Sequence, residues 1–168
     1  MSEENITIPS ERRMALLKAL PSFETLPDEA LMRVAEALVE ERFAVGQIIV
    51  RESQVGDRMY VIERGTVGVS VHSAKGEVNL GHMHAGDVFG EIALLSDTKR
   101  RRASVFAETP VVTFSLNLSD FENITRLFPE VRYDLAYASD ALMQARLEAL
   151  MQARREQIGG NWLDPDSK

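Results

Sequence analysis

The pattern of hydrophobic and polar positions begins with two short helical stretches. Residues 11–20 carry apolar side chains at mixed helical spacing, and Pro21 ends the first predicted helix. A second predicted helix starts near Pro27, with Thr25 and Asp28 spaced as a capping box. Two helices are therefore expected before the first strand. Their apolar positions are Met14, Leu16, Leu17, Leu20, Leu31, Val34, Ala35 and Leu38.

The periodicity changes to two between Phe43 and about Leu116, where β-branched and aromatic runs are interrupted by glycines. Turn residues recur about every ten positions, which favours an antiparallel arrangement because parallel strands need intervening helices. The predicted fold class is α+β: an antiparallel, jelly-roll-like β-roll with N-terminal helices and a long C-terminal helix. The predicted strands are Ile48 to Val50, Arg58 to Glu63, Thr66 to His72, Glu77 to His82, Ala103 to Ala107 and Val111 to Leu116.

The end of the chain is predicted to be helical. Ser119 and Glu122 form a second candidate capping box, and Pro129 ends or kinks the helix that follows. Residues 130–157 are rich in strong helix formers, so they predict one long helix that stops at the glycine pair 159–160. Its apolar positions are wider than one stripe, which leaves dimerisation through this helix open.

Composition restricts the classes of function. The chain is 45% hydrophobic and 27% charged, as in ordinary globular proteins, and it has no cysteine for disulfides or thiolate metal sites. A net charge of −7 argues against a general nucleic-acid surface, so any anion site must be local. No apolar run approaches the roughly 18 residues of a membrane span, and the first twenty residues lack a signal-peptide pattern. We therefore expect a cytoplasmic protein that does not contact membranes.

The most informative segment is Phe89-Gly90-Glu91-Ile92-Ala93-Leu94-Leu95, followed after five residues by Arg101-Arg102-Ala103-Ser104-Val105. Gly90 lets the backbone approach a ligand closely, and Arg101 opens a run of small residues whose amides can face an anion. A cyclic phosphodiester carries one negative charge, which suits one arginine fork and a few backbone N–H donors. Glu91 can accept a hydrogen bond from the neighbouring ribose 2′-hydroxyl. The pattern thus fits a cyclic nucleotide.

This segment resembles the phosphate-binding cassette of the cyclic-nucleotide-binding domain family, of the type in protein kinase A regulatory subunits and the catabolite activator protein. The resemblance covers roughly residues 20–150 and extends to a helix-then-strand framework. The framework positions are Phe23, Leu26, Leu31, Phe43, Gly46, Gly56, Asp57, Tyr60, Ile62, Gly65, Val67 and Val69.

The resemblance implies a set of site residues, carried over by position. Gly90 and Glu91 would contact the ribose, and Arg101 would contact the phosphate. Arg102 stands where cGMP-selective members often have Ser or Thr, so cAMP is the expected ligand and cGMP the alternative. The other positions are the amides of Arg102 and Ala103 for the phosphate, Val69, Leu80 and Ile92 for the apolar wall, and Arg146 for the base cap.

Two departures from the family pattern bear on loop geometry. Ser53-Gln54 stands where a Gly-Asp pair is common, and Lys99 stands where a proline is common. The domain organisation implied is an N-terminal helical segment at 1–22, the nucleotide-binding domain at 23–158 and a flexible tail at 159–168. No cofactor is expected.

The implied function is a nucleotide sensor that is not an enzyme. Its C-terminal helix would move toward an effector protein that the sequence does not identify. Because the chain stops soon after Gly160, without a helix-turn-helix domain, we expect no DNA binding. The alternative on the same fold is a protein-interaction module that works without nucleotide.

Other interpretations of the same residues stay open at this stage. The charge run 99–102 is also typical of a solvated surface, and Arg101-Arg102-Ala103-Ser104 matches the substrate pattern of basic-directed kinases. His72, His82 and His84 could indicate a metal site, and a cupin-like enzyme would need such a cluster. No Ser/His/Asp arrangement, Walker loop or paired-carboxylate motif is present, so a catalytic function is not predicted.

Overall fold

The structure is a computed structural model that describes residues 10–21 and 23–137. Two helices precede eight strands, a short helix lies between the sixth and seventh strands, and a further helix follows the last strand. Helical backbone resumes at 129–137. The elements are α1 (Ser10–Lys18), α2 (Asp28–Ala37), β1 (Val39–Phe43), β2 (Ile48–Val50), β3 (Arg58–Arg64), β4 (Val67–Ser73), β5 (Gly76–Met83), β6 (Val88–Phe89), α3 (Glu91–Leu95), β7 (Ser104–Ala107), β8 (Val111–Asn117) and α4 (Leu118–Leu127).

The strands form two four-stranded sheets. One sheet has the order β1-β8-β3-β6 and the other the order β2-β7-β4-β5, and the strand pairs in both are antiparallel. Apart from the hairpin formed by β4 and β5, consecutive strands lie in different sheets, so the chain crosses repeatedly between the two layers. The predicted α+β class and antiparallel roll are confirmed. The predicted long helix lies mostly outside the described residues.

Two clusters of buried apolar residues fill the molecule. The helical-side core packs the helices against the β1-β8-β3-β6 sheet, and the roll-interior core lies between the two sheets. The helical-side core comprises Leu17, Leu20, Phe23, Leu26, Ala30, Leu31, Val34, Ala35, Leu38, Met59, Val61, Leu94, Phe114, Leu116, Phe121, Ile124, Val131 and Leu135. The roll-interior core comprises Val50, Tyr60, Ile62, Val67, Val69, Met83, Phe89, Val105, Ala107 and Val111.

Both predicted capping boxes are wrong. The N-cap of α2 is Pro27, which makes no side-chain cap, and the Thr25 hydroxyl instead donates to Asp134 Oδ2 at 3.0 Å. The N-cap of α4 is Asn117, whose Oδ1 accepts from the backbone N–H of Asp120 at 2.8 Å. The spacing of polar residues did not identify either cap, because Thr25 bonds to a distant residue and α4 starts before Ser119.

Three short elements, β1, β6 and α3, were not predicted. Strand β1 is mostly exposed or half-buried and has two glutamates and an arginine among its five residues, so it lacks an apolar alternation. Strand β6 has only two residues and α3 only five, which is too short for either periodicity to be recognised. Within the described ranges, no helix has the length and apolarity needed to cross a bilayer.

Candidate functional site

A cavity of about 280 Å³ opens at the roll interior, against α3 and the loop that follows it. Its volume lies near the lower end of the roughly 300–1,000 Å³ typical of small-molecule sites. All four strands of the β2-β7-β4-β5 sheet contribute to its wall. The lining residues are Val50, Val69, Val71, Leu80, Met83, Phe89, Gly90, Glu91, Ile92, Ala93, Arg101, Arg102, Ala103 and Val105.

Arg101 is the buried cation of this cavity. Its side chain is only 8% exposed, and the guanidinium donates from Nη1 to the Gly90 carbonyl at 2.8 Å and from Nη2 to the Arg58 carbonyl at 2.7 Å. Burial lowers the pKa of Arg101 from its ordinary value, while Tyr60, Asp57 and Glu91 act in the opposite direction. Because an arginine stays protonated in proteins, the cavity holds a positive charge that is shielded from water.

Glu91 brings a carboxylate into the same cavity. It is the first residue of α3, and only 2% of it is exposed. Gly90, the N-cap of α3, has φ 83° and ψ −4°, a left-handed conformation that glycine adopts without steric cost. Glu91 also acts electrostatically to raise the pKa of Arg101, and both residues line the same, mainly apolar cavity.

Backbone pairing with the β2–β3 loop holds the segment that carries Arg101. The Arg101 N–H donates to the Gln54 carbonyl at 2.8 Å, and the Ser53 N–H donates to the Arg101 carbonyl at 2.7 Å. Ser53 and Lys99 have φ of 68° and 55°, so the two departures from the family pattern both include a residue in the left-handed region. A proline could not adopt the conformation that Lys99 has, because its ring fixes a negative φ.

Within the charge run 99–102, the arginines differ in their surroundings. Arg101 is buried, whereas Arg100 and Arg102 are exposed. Arg100 Nη1 donates to the Ser53 carbonyl at 2.8 Å, and Lys99 Nζ donates to the Leu94 carbonyl at the end of α3 at 2.9 Å. The run therefore combines one buried arginine with two neighbours, Lys99 and Arg100, whose side chains bond to nearby backbone carbonyls.

The predicted apolar residues Val69, Leu80 and Ile92 all line the cavity, and so do Arg102 and Ala103. The predicted base-capping residue, Arg146, lies outside the described residues. The wall also includes apolar residues that the sequence analysis did not assign to the site, although the alternation along their strands could have placed some of them on the inner face. These residues are Val50, Val71, Met83, Phe89, Ala93 and Val105.

An aromatic stack supports the cavity wall beside Gly90. The ring of Phe89 stacks on that of Tyr60, with centroids 4.9 Å apart and an angle of 14° between the planes. Phe43 meets Tyr60 edge-on at 6.4 Å. Burial raises the pKa of the Tyr60 hydroxyl, so this group stays neutral at ordinary pH.

The histidines do not form a metal cluster in the part of the chain that the structure describes. His82 Nδ1 contacts Glu108 Oε2 at 2.8 Å, and His84 Nδ1 lies 3.4 Å from the Thr66 hydroxyl. Ser104, the residue of the kinase-like pattern, is half-buried in β7, and its hydroxyl accepts the Glu52 N–H at 2.9 Å.

Comparison with known proteins points to one type of domain. A family profile described as the cyclic nucleotide-binding domain matches residues 40–127. A cAMP-dependent protein kinase type II regulatory subunit of Drosophila melanogaster is 34% identical over 110 residues, which cover 65% of this chain and 29% of that protein. A cyclic nucleotide-gated potassium channel of Rhizobium etli is 37% identical over 120 residues, or 71% of this chain and 32% of the channel.

Solved structures with the same fold include regulatory parts of protein kinase A and a catabolite activator protein. The regulatory domain of Toxoplasma gondii PKA with cAMP has a TM-score of 0.71 at 26% identity, over 80% of this chain and 51% of that one. The catabolite activator protein of Thermus thermophilus has a TM-score of 0.67 at 26% identity, over 79% and 63%. A regulatory subunit of a cAMP-independent protein kinase A from Trypanosoma brucei has a TM-score of 0.68 at 28% identity, over 82% and 53%.

The chain spans less than a third of the length of the Drosophila and Rhizobium relatives. The similarity therefore concerns one module of longer proteins.

Proposed function

Since the chain belongs to the cyclic nucleotide-binding domain family, we propose that its cavity binds a cyclic nucleoside monophosphate, with cAMP the expected ligand and cGMP the alternative. The domain would act as a sensor of that nucleotide. The observation that carries the proposal is the position of Arg101 and Glu91, two buried charged residues at one cavity.

The charges of the cavity fit a cyclic monoanion. A buried guanidinium is costly unless an anion or several acceptors accompany it, and two backbone carbonyls already accept from Arg101. Those bonds use two of the five N–H groups of a guanidinium, which leaves donors for a phosphate. A 5′-monophosphate such as AMP carries more negative charge than a cyclic phosphodiester, and we expect it to bind more weakly beside the Glu91 carboxylate.

The cavity also offers surfaces that suit the ribose and the purine of such a nucleotide. Glu91 is an acceptor of the kind that a ribose 2′-hydroxyl needs, and it stands at the start of α3 next to Gly90. The strand residues of the wall, including Val69 and Leu80, offer apolar contact for a purine. We expect Arg102, at the exposed rim, to contribute its backbone amide as the resemblance implies.

The signal would leave the domain through its C-terminal helical region. Helix α4 begins directly at the end of β8, and the helical segment 129–137 places Val131 and Leu135 in the helical-side core. We propose that closure of the cassette around the nucleotide shifts these helices and that the long helix, with Arg146 or its apolar neighbours, covers the base. A ligand drives such a shift only by binding one state more tightly.

The domain would work in the cytoplasm, act on an effector protein and carry out no catalysis or DNA binding of its own. Dimerisation through the long helix would be one way to deliver the signal. A second candidate function is a protein-interaction module that works without nucleotide. The Trypanosoma brucei subunit, which has this fold and belongs to a cAMP-independent protein kinase A, is an example of the fold outside cAMP control.

A thermal-shift and calorimetric titration tests the proposal. The wild type, Arg101→Ala and the matched control Arg64→Ala, an exposed arginine on β3, are titrated with cAMP, cGMP and 5′-AMP. Ligand at about 100 times its Kd should stabilise the wild type by roughly 2.7 kcal/mol. We expect Arg101→Ala to remove most of this stabilisation and to raise Kd at least about 10-fold, because charge-assisted hydrogen bonds contribute about 1.5–3 kcal/mol.

Arg64→Ala should bind as the wild type does. A wild type that responds to neither cAMP nor cGMP would overturn the sensor proposal and favour the interaction module. Equal loss of binding in the Arg101 and Arg64 variants would show that general positive charge, and not the buried guanidinium, attracts the nucleotide.

A further inference from the structure

The guanidinium of Arg101 lies between two glycines that are far apart in sequence. A Cβ atom added to Gly56 would overlap Nε and Cζ of Arg101 and would lie 2.7 Å from Nη2. A Cβ atom added to Gly90 would lie 2.5 Å from Nη1 and 3.0 Å from the Arg58 carbonyl oxygen. Any larger residue at either position would therefore occupy space that the guanidinium fills.

The two glycines are required for different reasons. Gly90 has φ 83°, so its backbone conformation favours glycine even without the arginine. Gly56 is buried and is not among the glycines with positive φ. Its φ therefore gives no reason for a glycine, and the observed reason against a side chain there is the contact with Arg101.

We infer that Gly56 is a positioning residue for the phosphate-binding guanidinium, an assignment that rests on the proposed function. Its bare Cα forms one side of a slot, and the carbonyls of Gly90 and Arg58 fix the ends of the guanidinium fork at 2.8 and 2.7 Å. A group held in its binding orientation before the ligand arrives loses less entropy on binding. Gly56 would thus raise nucleotide affinity without touching the nucleotide.

The backbone around Gly56 has little freedom to move away from an added methyl group. The Gly56 N–H donates to the Lys99 carbonyl at 2.7 Å, and the next residue, Asp57, accepts from the Leu118 N–H at 2.6 Å. The Arg58 side chain is held in turn by Glu41 at 2.7 Å and by Asp57 at 3.2 Å. The guanidinium is the part that must shift, and it would lose its bonds to both carbonyls when it does.

The first arm of the test measures cAMP affinity by calorimetry in the wild type, Gly56→Ala and the matched control Gly68→Ala. A Cβ atom at Gly68 would overlap the Phe106 ring and lie 2.7 Å from Glu108 Oε1, so it produces a comparable overlap with no site side chain. We expect Gly56→Ala to raise Kd about 10- to 100-fold, because small displacements of a binding group cost factors of this size. Gly68→Ala should stay within about 3-fold of the wild type in Kd.

The second arm is a double-mutant cycle with Arg101→Ala, measured by urea unfolding without ligand. Removal of the arginine side chain frees the space beside Gly56, so Gly56→Ala should lower the unfolding midpoint in the wild type and much less in Arg101→Ala. Gly68→Ala should lower the midpoint equally in both backgrounds. Additive effects of the Gly56 and Arg101 substitutions, or wild-type affinity in Gly56→Ala, would overturn the assignment.

If Gly56→Ala does not fold, the double variant tests the contact between Gly56 and Arg101. Folding of Gly56→Ala/Arg101→Ala would support the contact, and failure of the double variant while Arg101→Ala folds would overturn it. Failure of the proposed function is recognised separately, because the wild type itself would then bind neither cAMP nor cGMP. A wild type that binds nucleotide together with a Gly56→Ala variant that binds equally well would refute only the positioning role.

Discussion

The helical-side core and the roll-interior core are built from the same kinds of residues but differ in what they face. The cavity wall includes five members of the roll-interior core: Val50, Val69, Met83, Phe89 and Val105. Among the described residues, no member of the helical-side core lines the cavity. Burial in the helical-side core therefore serves to join elements together, whereas part of the roll interior is also a binding surface.

Strand β3 contributes residues to both cores. Along β3, Met59 and Val61 belong to the helical-side core, while Tyr60 and Ile62 belong to the roll-interior core. This is the two-residue alternation of a strand whose faces are both covered. The comparison shows that a polar or apolar pattern alone does not separate a residue that stabilises the fold from one that contacts a ligand.

Helix attachment on the helical side also depends on a cation. Arg13 of α1 donates from Nη1 to the Leu38 carbonyl at 2.7 Å, just past the end of α2, and its guanidinium lies 5.3 Å from the centre of the Phe114 ring. Arg13 thus binds two helices to the sheet, whereas Arg101 faces a cavity. Arg13 is half-buried and Arg101 is buried. Like the two cores, one of them joins elements of the fold and the other faces the cavity.

The largest effect that we expect comes from Phe114→Ala in the helical-side core. Phe114 is fully buried, so truncation should reduce the free energy of unfolding by about 3–5 kcal/mol. Urea unfolding measures the loss, and calorimetry on the folded fraction should give a Kd for cAMP within about 3-fold of the wild type. Tyr133→Ala, at a side chain that is 71% exposed, is the control and should change stability by less than about 0.5 kcal/mol. A large rise in Kd without loss of stability would contradict the separation of the two cores.

The next largest effect comes from Glu91→Gln, which should change only the affinity for cAMP. Loss of a charged acceptor for the ribose hydroxyl should raise Kd for cAMP about 10- to 100-fold, since such bonds contribute about 1.5–3 kcal/mol. Calorimetry with 2′-deoxy-cAMP is the matched measurement: the wild type should lose a similar factor, and Glu91→Gln should lose nothing more. Equal weakening of both ligands by Glu91→Gln would mean that the carboxylate does not recognise the 2′-hydroxyl.

The smallest effect that we expect comes from the same valine-to-alanine substitution in each core, which tests the difference between the two cores directly. Val34→Ala and Val69→Ala remove equal side-chain volume at residues that are 1% and 5% exposed. Val34→Ala should reduce the free energy of unfolding by about 1–2 kcal/mol and leave Kd unchanged. Val69→Ala should cost less stability, because its side chain already borders a cavity, and should raise Kd for cAMP about 3-fold. Unfolding and titration of both variants check this, and identical profiles would refute it.

Much of the fold and part of the site were accessible from sequence because they depend on local patterns. The alternation of apolar residues located the central strands within one or two positions. The motif around Glu91 and Arg101 predicts these two residues for the site, and the structure buries both of them. The predicted positions Val69, Leu80 and Ile92 followed from the family resemblance, and the structure places them in the same wall.

Other features depended on contacts that no local pattern records. Thr25 has the right spacing to cap α2, yet it bonds to Asp134, more than a hundred residues later. Asn117 caps α4 in place of Ser119, because β8 continues to Asn117 and the helix starts at the next residue. Strand β1 is recognised only by its pairing with β8, since its own residues carry no apolar period.

The sequence by itself determined the periodicities of the chain and the presence of a Gly-Glu pair ten residues before an arginine, because these are properties of neighbouring residues. Only the tertiary structure decided that Gly56, forty-five positions before Arg101 in the numbering, lies against its guanidinium. The physical reason is that the β2–β3 loop pairs with the segment before β7. This pairing depends on β2 and β7, two strands distant in sequence, joining the same sheet.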